Sequence, residues 1–196
     1  MIIPSVYLEI YKEDIGYIQI TSFAANTATE FKEKLAKLQA ESIKDVIIDL
    51  RNNPGGYSDQ AIIVADLLLG AGTLVTIEDK EGNREYINSD EEKEDINYVV
   101  LVNEASASAS ELVAAAIKDN KGGKIVGTNT FGKGIMQEVK VLPDGSLLKL
   151  TTRQFLTPKG DIIHKVGIMP DYVVELKPNT LIDTQFEKAC EVLQNK

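Results

Sequence analysis

Residues 97–119 read NYVVLVNEASASASELVAAAIKD and connect a strand to a helix. Asn97–Val102 is a continuous apolar run between polar residues, which is typical of a strand buried on both faces of a sheet. A helix is predicted from about Glu111 to Asp119. The residues between them, 103–110, are mostly small and leave room at the turn where the strand becomes a helix.

The same order of strand, loop and helix occurs earlier in the chain. Asp45–Leu50 (DVIIDL) is a second apolar run, and it is followed by the loop Arg51–Gly56 and by a helix predicted over Ser58–Leu69. Tyr17–Ile20 indicates a further strand, ahead of a helix that opens at Thr27. Such alternation favours parallel pairing and an α/β layer architecture.

Two antiparallel hairpins are predicted beside this alternation. The first joins Thr73–Ile77 to Arg84–Ile87, and the second joins Ile135–Leu142 to Ser146–Thr152 across a Pro-Asp-Gly turn. The whole chain, residues 1–196, is therefore predicted to form one α/β domain. Its sheet is expected to be mainly parallel and flanked by helices, with antiparallel hairpins added.

Two of the predicted helices carry clear signals at their starts. Thr27-Ala28-Thr29-Glu30 has the spacing of a capping box. The last helix is predicted to begin near Asp183 and to turn four residues inward, because they recur at helical spacing: Phe186, Ala189, Cys190 and Leu193.

The composition excludes several classes of protein. Of 196 residues, 43% are hydrophobic and 26% charged, which is typical of a globular protein with a sizeable core. A net charge of −9 disfavours nonspecific binding to nucleic acid or anionic membranes. No stretch approaches the ~18 apolar residues that span a bilayer, and Met1–Ile10 does not resemble a signal peptide. We therefore expect no membrane segment, signal or anchor in this chain.

The chain has only one cysteine and one histidine. No internal disulfide is possible, and a metal site of the usual ligand types is not expected.

The serine-rich turn offers a candidate nucleophile, Ser108. Backbone N–H groups at the start of a helix are unpaired and carry partial positive charge, so a serine there lies beside donors for a developing oxyanion. A second interpretation is structural. Ser108-Ala109-Ser110-Glu111 also fits a capping box, in which Ser108 would do no more than cap the helix.

A nucleophilic serine needs a base, and the chain offers two candidates. His164 is the only histidine, and nothing near it in the sequence suggests a triad. Lys133 is the better candidate because it lies among glycines and apolar residues, and a lysine becomes a base only where desolvation favours its neutral form. If the following segment is extended, Gln137 shares a face with Lys133 and could hold its amine. The other interpretation of Lys133 is an ordinary surface lysine.

The loop Arg51–Gly56 offers a third component. Its two glycines allow the backbone to expose N–H groups, and ligands of open α/β sheets lie beyond the carboxyl ends of strands, where this loop and the serine turn both lie. A simple turn is the alternative interpretation. Residues 127–133 match the glycine and lysine spacing of a phosphate-binding loop, but Gly134 replaces the required hydroxyl residue and a strand follows. Nucleotide binding is therefore not expected.

Taken together, these segments resemble the serine–lysine carboxyl-terminal processing peptidases, also called tail-specific proteases. The matching stretches follow the family's order over nearly the whole chain: 16–23 (GYIQITSF), 49–56 (DLRNNPGG), 101–111 (LVNEASASASE), 130–137 (TFGKGIMQ), 157–160 (TPKG) and 167–171 (GIMPD).

The resemblance implies a fold of the crotonase and Clp-protease type and a set of site residues. It implies Ser108 as the nucleophile, Lys133 as the base and Gln137 as the residue that assists the base. It also implies an oxyanion hole formed by the amide of Ala109 and that of a loop glycine, Gly55 or, as the alternative, Gly56. No metal or organic cofactor is implied.

The resemblance further implies a serine endopeptidase that cuts near exposed apolar carboxyl termini, with protein or peptide C-terminal segments as partners. Family members usually carry a PDZ module, which we do not find here, so we expect a peptidase core without that module. An extracytoplasmic or cell-envelope location and a possible homodimer are also expected from the resemblance.

Two alternatives stand beside the peptidase. One is a non-catalytic module that binds peptides or small apolar ligands on the same fold. The other is an acyl-CoA enzyme on a crotonase-type core, in which a Ser–Lys pair has no role.

Overall fold

The computed structural model describes residues 3–12, 14–90, 92–176 and 181–195. Its strands are β1 (Val6–Tyr11), β2 (Ile15–Ile20), β3 (Asp45–Asp49), β4 (Thr73–Asp79), β5 (Arg84–Asn88), β6 (Asn97–Val102), β7 (Lys124–Gly127), β8 (Ile135–Val141), β9 (Leu147–Leu156) and β10 (Tyr172–Val173). Its helices are α1 (Thr27–Ala40), α2 (Ser58–Leu68), α3 (Ala109–Asn120) and α4 (Thr184–Gln194). The predicted strands and helices are confirmed, with differences at their ends; β1 and β10 were not predicted.

A six-stranded sheet forms the centre of the fold, in the order β1-β2-β3-β6-β7-β10. β1 pairs antiparallel with β2, and all the other pairs are parallel. The mixed α/β fold with a mostly parallel sheet was the class predicted from the alternation of strands and helices. Because parallel strands need crossover connections, helices cover both faces of this sheet.

Alternate residues of the central strands pack on opposite faces. Val46 and Val100 belong to a large core cluster with α1, α2 and α3, whereas Ile47 and Val99 pack in a smaller cluster with α4. All four side chains are completely buried. A strand covered on both sides must be apolar at every position, which is why DVIIDL and NYVVLV lack the alternation of a half-exposed strand. No helix in the described part of the chain is long and apolar enough to cross a membrane.

A second, antiparallel sheet has the strand order β5-β4-β9-β8 and contains both predicted hairpins. Its strand β4 contacts α2 and α3, which attaches this sheet to the helices on one face of the central sheet. The β8–β9 hairpin begins immediately after the segment that contains Lys133.

The start of α1 differs from the prediction. Asn26 is the N-cap, and Thr27 is already the first helical residue, so the predicted capping box does not form. The Glu30 carboxylate instead accepts hydrogen bonds from the N–H groups of Ser5 and Val6, at 2.8 and 3.1 Å. The Glu30 carboxylate, which would have accepted a hydrogen bond in a local cap, therefore binds the backbone at the start of β1 instead.

An ion-pair network attaches α4 to the end of β3. Arg51 binds the buried carboxylate of Asp49 at 2.6 Å. It also binds the partly exposed carboxylate of Asp183, the N-cap of α4, at 2.8 Å. The Tyr17 hydroxyl also donates to Asp49, at 2.6 Å. Burial and the neighbouring Asp49 raise the pKa of Tyr17, so this hydroxyl remains a donor at ordinary pH. Of the inward residues predicted for α4, Ala189 and Leu193 are buried, whereas Phe186 and Cys190 are only half-buried.

Replacing Arg51 by methionine should lower the free energy of unfolding by about 3 kcal/mol, because it leaves the Asp49 carboxylate buried without a cation. Urea unfolding at neutral pH measures this change. The matched control is Arg84→Met, which breaks a more exposed pair with Glu78 and should have a clearly smaller effect. Equal losses for the two variants would contradict the importance of the buried pair.

Candidate active site

The candidate nucleophile Ser108 lies on a sharp turn between β6 and α3. Its backbone has φ +57° and ψ −114°, a conformation that residues other than glycine rarely adopt. The residue is half-buried, so part of its surface reaches solvent. A strained turn from a strand into a helix is a known way of presenting a serine hydroxyl at the top of an α/β sheet.

The two neighbouring serines of the Ser-Ala run are buried and hydrogen-bonded. The Ser106 hydroxyl donates to the Leu50 carbonyl at 2.8 Å, and the Ser110 hydroxyl donates to the Asn53 carbonyl at 3.0 Å. Both side chains therefore connect the serine turn to the loop that follows β3. Of these three serines, only Ser108 is accessible.

Glu111 joins the segments of the site, a role that the sequence indicated only in part. It completes the predicted capping box, and its Oε2 accepts the N–H groups of Ser108 and Lys133 at 2.8 and 2.7 Å. Its Oε1 accepts the Gly132 N–H and the Thr130 hydroxyl, both at 2.6 Å. The side chain is completely buried. Because one oxygen binds both N–H groups, the backbones of Ser108 and Lys133 lie side by side.

The Lys133 side chain is exposed, although its neighbours Gly132 and Gly134 are buried. The sheltered environment predicted for the amine is therefore absent from this structure. The physical reason is that Glu111 and the surrounding loop bury the backbone of the segment and turn the side chain outward. The Glu111 side chain thus binds the main chain of Lys133, and not its amine, and holds it beside the serine turn.

Gln137 lies on β8 and is also exposed. β8 begins at Ile135, and its pairing with β9 is irregular between Met136 and Gln137, so the extended run expected from Lys133 onward is interrupted. The Gln137 amide donates to the Thr151 hydroxyl at 3.3 Å. This contact holds the side chain on the hairpin in the free chain.

Gly55 packs directly against the serine turn. A Cβ added at Gly55 would lie 2.8 Å from the Ser108 Cβ and 3.0 Å from the Ala109 nitrogen, so only glycine allows this approach. Its φ is +99°, which also favours glycine. The Gly55 N–H donates to Asn53 Oδ1 at 2.9 Å. Among the described residues, the N–H groups of Gly56 and Ala109 have no acceptor.

His164 lies beside the backbone of the Lys133 segment. A Cβ added at Gly134 would lie 2.8 Å from the His164 nitrogen, and the Lys165 N–H donates to the Gly132 carbonyl at 2.8 Å. The His164 ring is half-buried, and its Nδ1 is buried with no partner within the described residues. The structure therefore places the turn at His164 against the Gly132–Gly134 loop, a proximity that the sequence did not indicate.

The described residues contain no group of three or more His, Cys, Asp or Glu side chains that could hold a metal ion. The polar groups of the candidate site are instead hydroxyl, amide, ammonium and backbone N–H groups, together with the buried Glu111 carboxylate. Such a set suits the stabilisation of a tetrahedral, negatively charged intermediate.

Comparisons with known proteins point to the same family as the sequence motifs. The profile of "Peptidase family S41" matches residues 14–174. The carboxy-terminal processing protease CtpA of Bacillus subtilis (strain 168) is 40% identical over 176 residues, which is 89% of this chain and 38% of that protein. The chloroplastic C-terminal processing peptidase of Tetradesmus obliquus is 39% identical over 184 residues, which is 93% of this chain and 39% of that protein.

The solved structures give the same result. The photosystem II D1 C-terminal processing protease superposes with a TM-score of 0.83 and 35% identity, over 98% of this chain and 53% of that one. The tricorn protease superposes with a TM-score of 0.58 and 24% identity, over 92% of this chain and 18% of that one, which shows a shared fold only. The chain thus spans about two fifths of the length of the curated relatives named above.

Replacing Glu111 by glutamine should disorder the site, because the NH2 group of the new amide cannot accept the hydrogen bonds that one of the two carboxylate oxygens now accepts. We expect the free energy of unfolding to fall by about 3 kcal/mol. Amide hydrogen exchange at Gly132 and Lys133 should also accelerate. Glu104→Gln is the control, since the exposed Glu104 binds only the Thr128 hydroxyl at 2.8 Å among the described residues. Unchanged exchange at both amides in Glu111→Gln would contradict the proposed connection.

Proposed function

The chain belongs to peptidase family S41, and from this premise we propose that it carries the catalytic core of a serine endopeptidase that cuts proteins near exposed apolar C-termini. The observation that carries the proposal is the single carboxylate oxygen of Glu111 that binds the backbones of both Ser108 and Lys133. This contact brings a strained, accessible serine together with the lysine that the family resemblance assigns as base.

In the proposed mechanism, the Ser108 hydroxyl attacks the scissile carbonyl while the Lys133 amine takes its proton. The protonated amine then passes that proton to the leaving amine, and an acyl-enzyme remains on the Ser108 oxygen. Water, deprotonated by Lys133, releases the acid product and restores the serine. Lys133 is exposed in the free chain, so we propose that bound substrate covers it and favours its neutral form.

Gln137 is proposed to hold the lysine amine through its side-chain oxygen. In the free chain the other end of this amide, its nitrogen, donates to Thr151. The interaction with Thr151 therefore leaves the Gln137 oxygen available to accept from the Lys133 amine, which the mechanism requires.

The oxyanion is proposed to bind the Ala109 N–H and the N–H of a loop glycine. Gly55 makes the close approach to Ser108, but its N–H already donates to Asn53. The Gly55 carbonyl accepts from the Phe23 N–H at 2.9 Å, so the Gly56 N–H of the same trans peptide points away from Phe23. These contacts support Gly56 as the second donor, with Gly55 needed for packing.

The proposed substrates are C-terminal segments of proteins, in line with relatives named as carboxy-terminal processing enzymes. An extracytoplasmic site of action, as in the family that the chain resembles, is part of the same proposal. Because the chain spans only part of those relatives, the activity of the whole protein is likewise proposed.

A second candidate is a peptide-binding module without catalysis. One observation favours it: Val139, Val141 and Leu147 are 57%, 72% and 69% exposed on the face of the hairpin that Gln137 also occupies. An apolar peptide could bind there whether or not the serine reacts. Reactivity of Ser108 separates the two candidates.

A fluorophosphonate probe should label the wild-type chain at Ser108, as located by mass spectrometry, and Ser108→Ala should abolish labelling. That variant should lose at most about 1 kcal/mol of stability. Ser106→Ala and Ser110→Ala each remove a buried hydrogen bond, which costs about 1–3 kcal/mol, but should keep most of the labelling. Loss of labelling in Ser110→Ala with retention in Ser108→Ala would place the nucleophile one repeat later.

Lys133→Arg and Lys133→Ala should both abolish labelling and peptide hydrolysis, because arginine stays protonated and alanine has no amine. Lys140→Arg, an exposed lysine on β8, is the control and should react like the wild type. The rates of all variants are compared in one buffer at one pH. His164→Ala should remain active. A loss of about a thousandfold in His164→Ala, with Lys133→Arg active, would assign the base to histidine instead.

A further inference from the structure

Asn53 is a buried polar residue whose side chain connects two parts of the fold. Its Nδ2 donates to the Ile20 carbonyl at the end of β2, at 2.9 Å. Its Oδ1 accepts the Gly55 N–H, also at 2.9 Å. The residue has no exposed surface, so both groups depend on these partners for their hydrogen bonds.

The main chain of Asn53 reaches the serine turn on both sides of Ser108. Its carbonyl accepts the Ala107 N–H at 3.0 Å and the Ser110 hydroxyl at 3.0 Å. One residue therefore contacts the end of β2, the glycine loop and both flanks of the candidate nucleophile. Because a buried amide with satisfied partners has few alternative orientations, these contacts hold the three segments in one arrangement.

The Asn53 side chain and the Phe23 backbone together hold the two peptides on either side of Gly55. Gly55 is held at its N–H by Asn53 and at its carbonyl by Phe23. Pro54 lacks an N–H, and a glycine, which has no Cβ, can adopt many backbone conformations, so the loop sequence alone leaves the orientation of these peptides open. The contacts with Asn53 and Phe23 together remove that freedom, and among the described residues the Gly56 N–H has no acceptor.

From these contacts we infer that Asn53 is a positioning residue for catalysis: its side chain orients the glycine loop so that a backbone N–H is ready to bind the oxyanion at Ser108. This inference rests on the peptidase function proposed above. Asn53 does not touch the substrate, and it acts through Gly55. Donors aimed before the reaction begins need no reorganisation when charge develops, so loss of the side chain should slow the chemical step and leave probe binding unchanged.

The experiment measures fluorophosphonate labelling of Ser108 as a maximal rate, kinact, and a half-saturating concentration, KI. Asn53→Ala should lower kinact by about 100-fold with little change in KI, as expected when reacting groups are misplaced. Asn53→Ser should recover part of the rate, to about tenfold below wild type, because a serine hydroxyl can accept the N–H two residues on, more weakly than asparagine. Both variants leave the Ile20 carbonyl without its donor, so a purely structural role predicts similar rates for them.

The matched control is Asn120→Ala. The Asn120 amide donates to the carbonyls of Thr73 and Ala116, at 2.8 and 2.9 Å, at the end of α3 remote from Ser108 in sequence. This variant also loses two side-chain hydrogen bonds but should label at the wild-type rate. If Asn53→Ala does not fold, Asn53→Ser against this control decides the question.

The outcomes are distinguishable. A folded Asn53→Ala or Asn53→Ser that labels at the rate of the Asn120→Ala control overturns the inference about Asn53 and leaves the peptidase function standing. Equal losses in the alanine and serine variants also overturn it, because the Gly55 contact would then have no part in the effect. A wild-type chain that does not label at Ser108 overturns the proposed function, and the inference with it.

Discussion

The buried carboxylate of Glu111 is the interaction on which the candidate site depends. It accepts four hydrogen bonds, three of them from backbone N–H groups of Ser108, Gly132 and Lys133. A carboxylate removed from water must have its acceptor positions filled. Here the donors come from two segments, the turn between β6 and α3 and the loop between β7 and β8. The need to satisfy one buried charge therefore fixes where the lysine segment meets the serine turn.

The parallel sheet supplies the second constraint. β3 and β6 are neighbours, so the loops that follow them leave the same edge of the sheet and lie side by side. Polar side chains then connect the two loops. The Asn52 backbone N–H donates to Asn103 Oδ1 and the Asn103 side-chain Nδ2 donates to Asn52 Oδ1, both at 2.9 Å. The Ser106 hydroxyl donates to the Leu50 carbonyl. The glycine loop can approach Ser108 because the sheet brings its start into register with the serine turn.

The side chains that would transfer or steady the proton are less constrained than this backbone framework. Lys133 and Gln137 are both exposed, whereas Glu111 and Asn53 are completely buried. Burial of polar groups with full hydrogen bonding rigidifies the turn and the loops, and exposure leaves the side chain of Lys133, the proposed base, free to move. Substrate can therefore complete the site without repacking the core.

The sequence by itself determined most of the strands and helices and the α/β class, because apolar periodicity and local spacing are encoded within short segments. Its motifs, through the family that they resemble, also identified the candidate residues. It did not predict that Glu30 would bind β1 instead of capping α1, nor that the Lys133 side chain would be exposed. That the buried side chains of Glu111 and Asn53 connect separate segments of the site was likewise decided only by the tertiary structure. Each depends on hydrogen-bond partners that are distant in the chain, and only the packed fold brings those partners within reach.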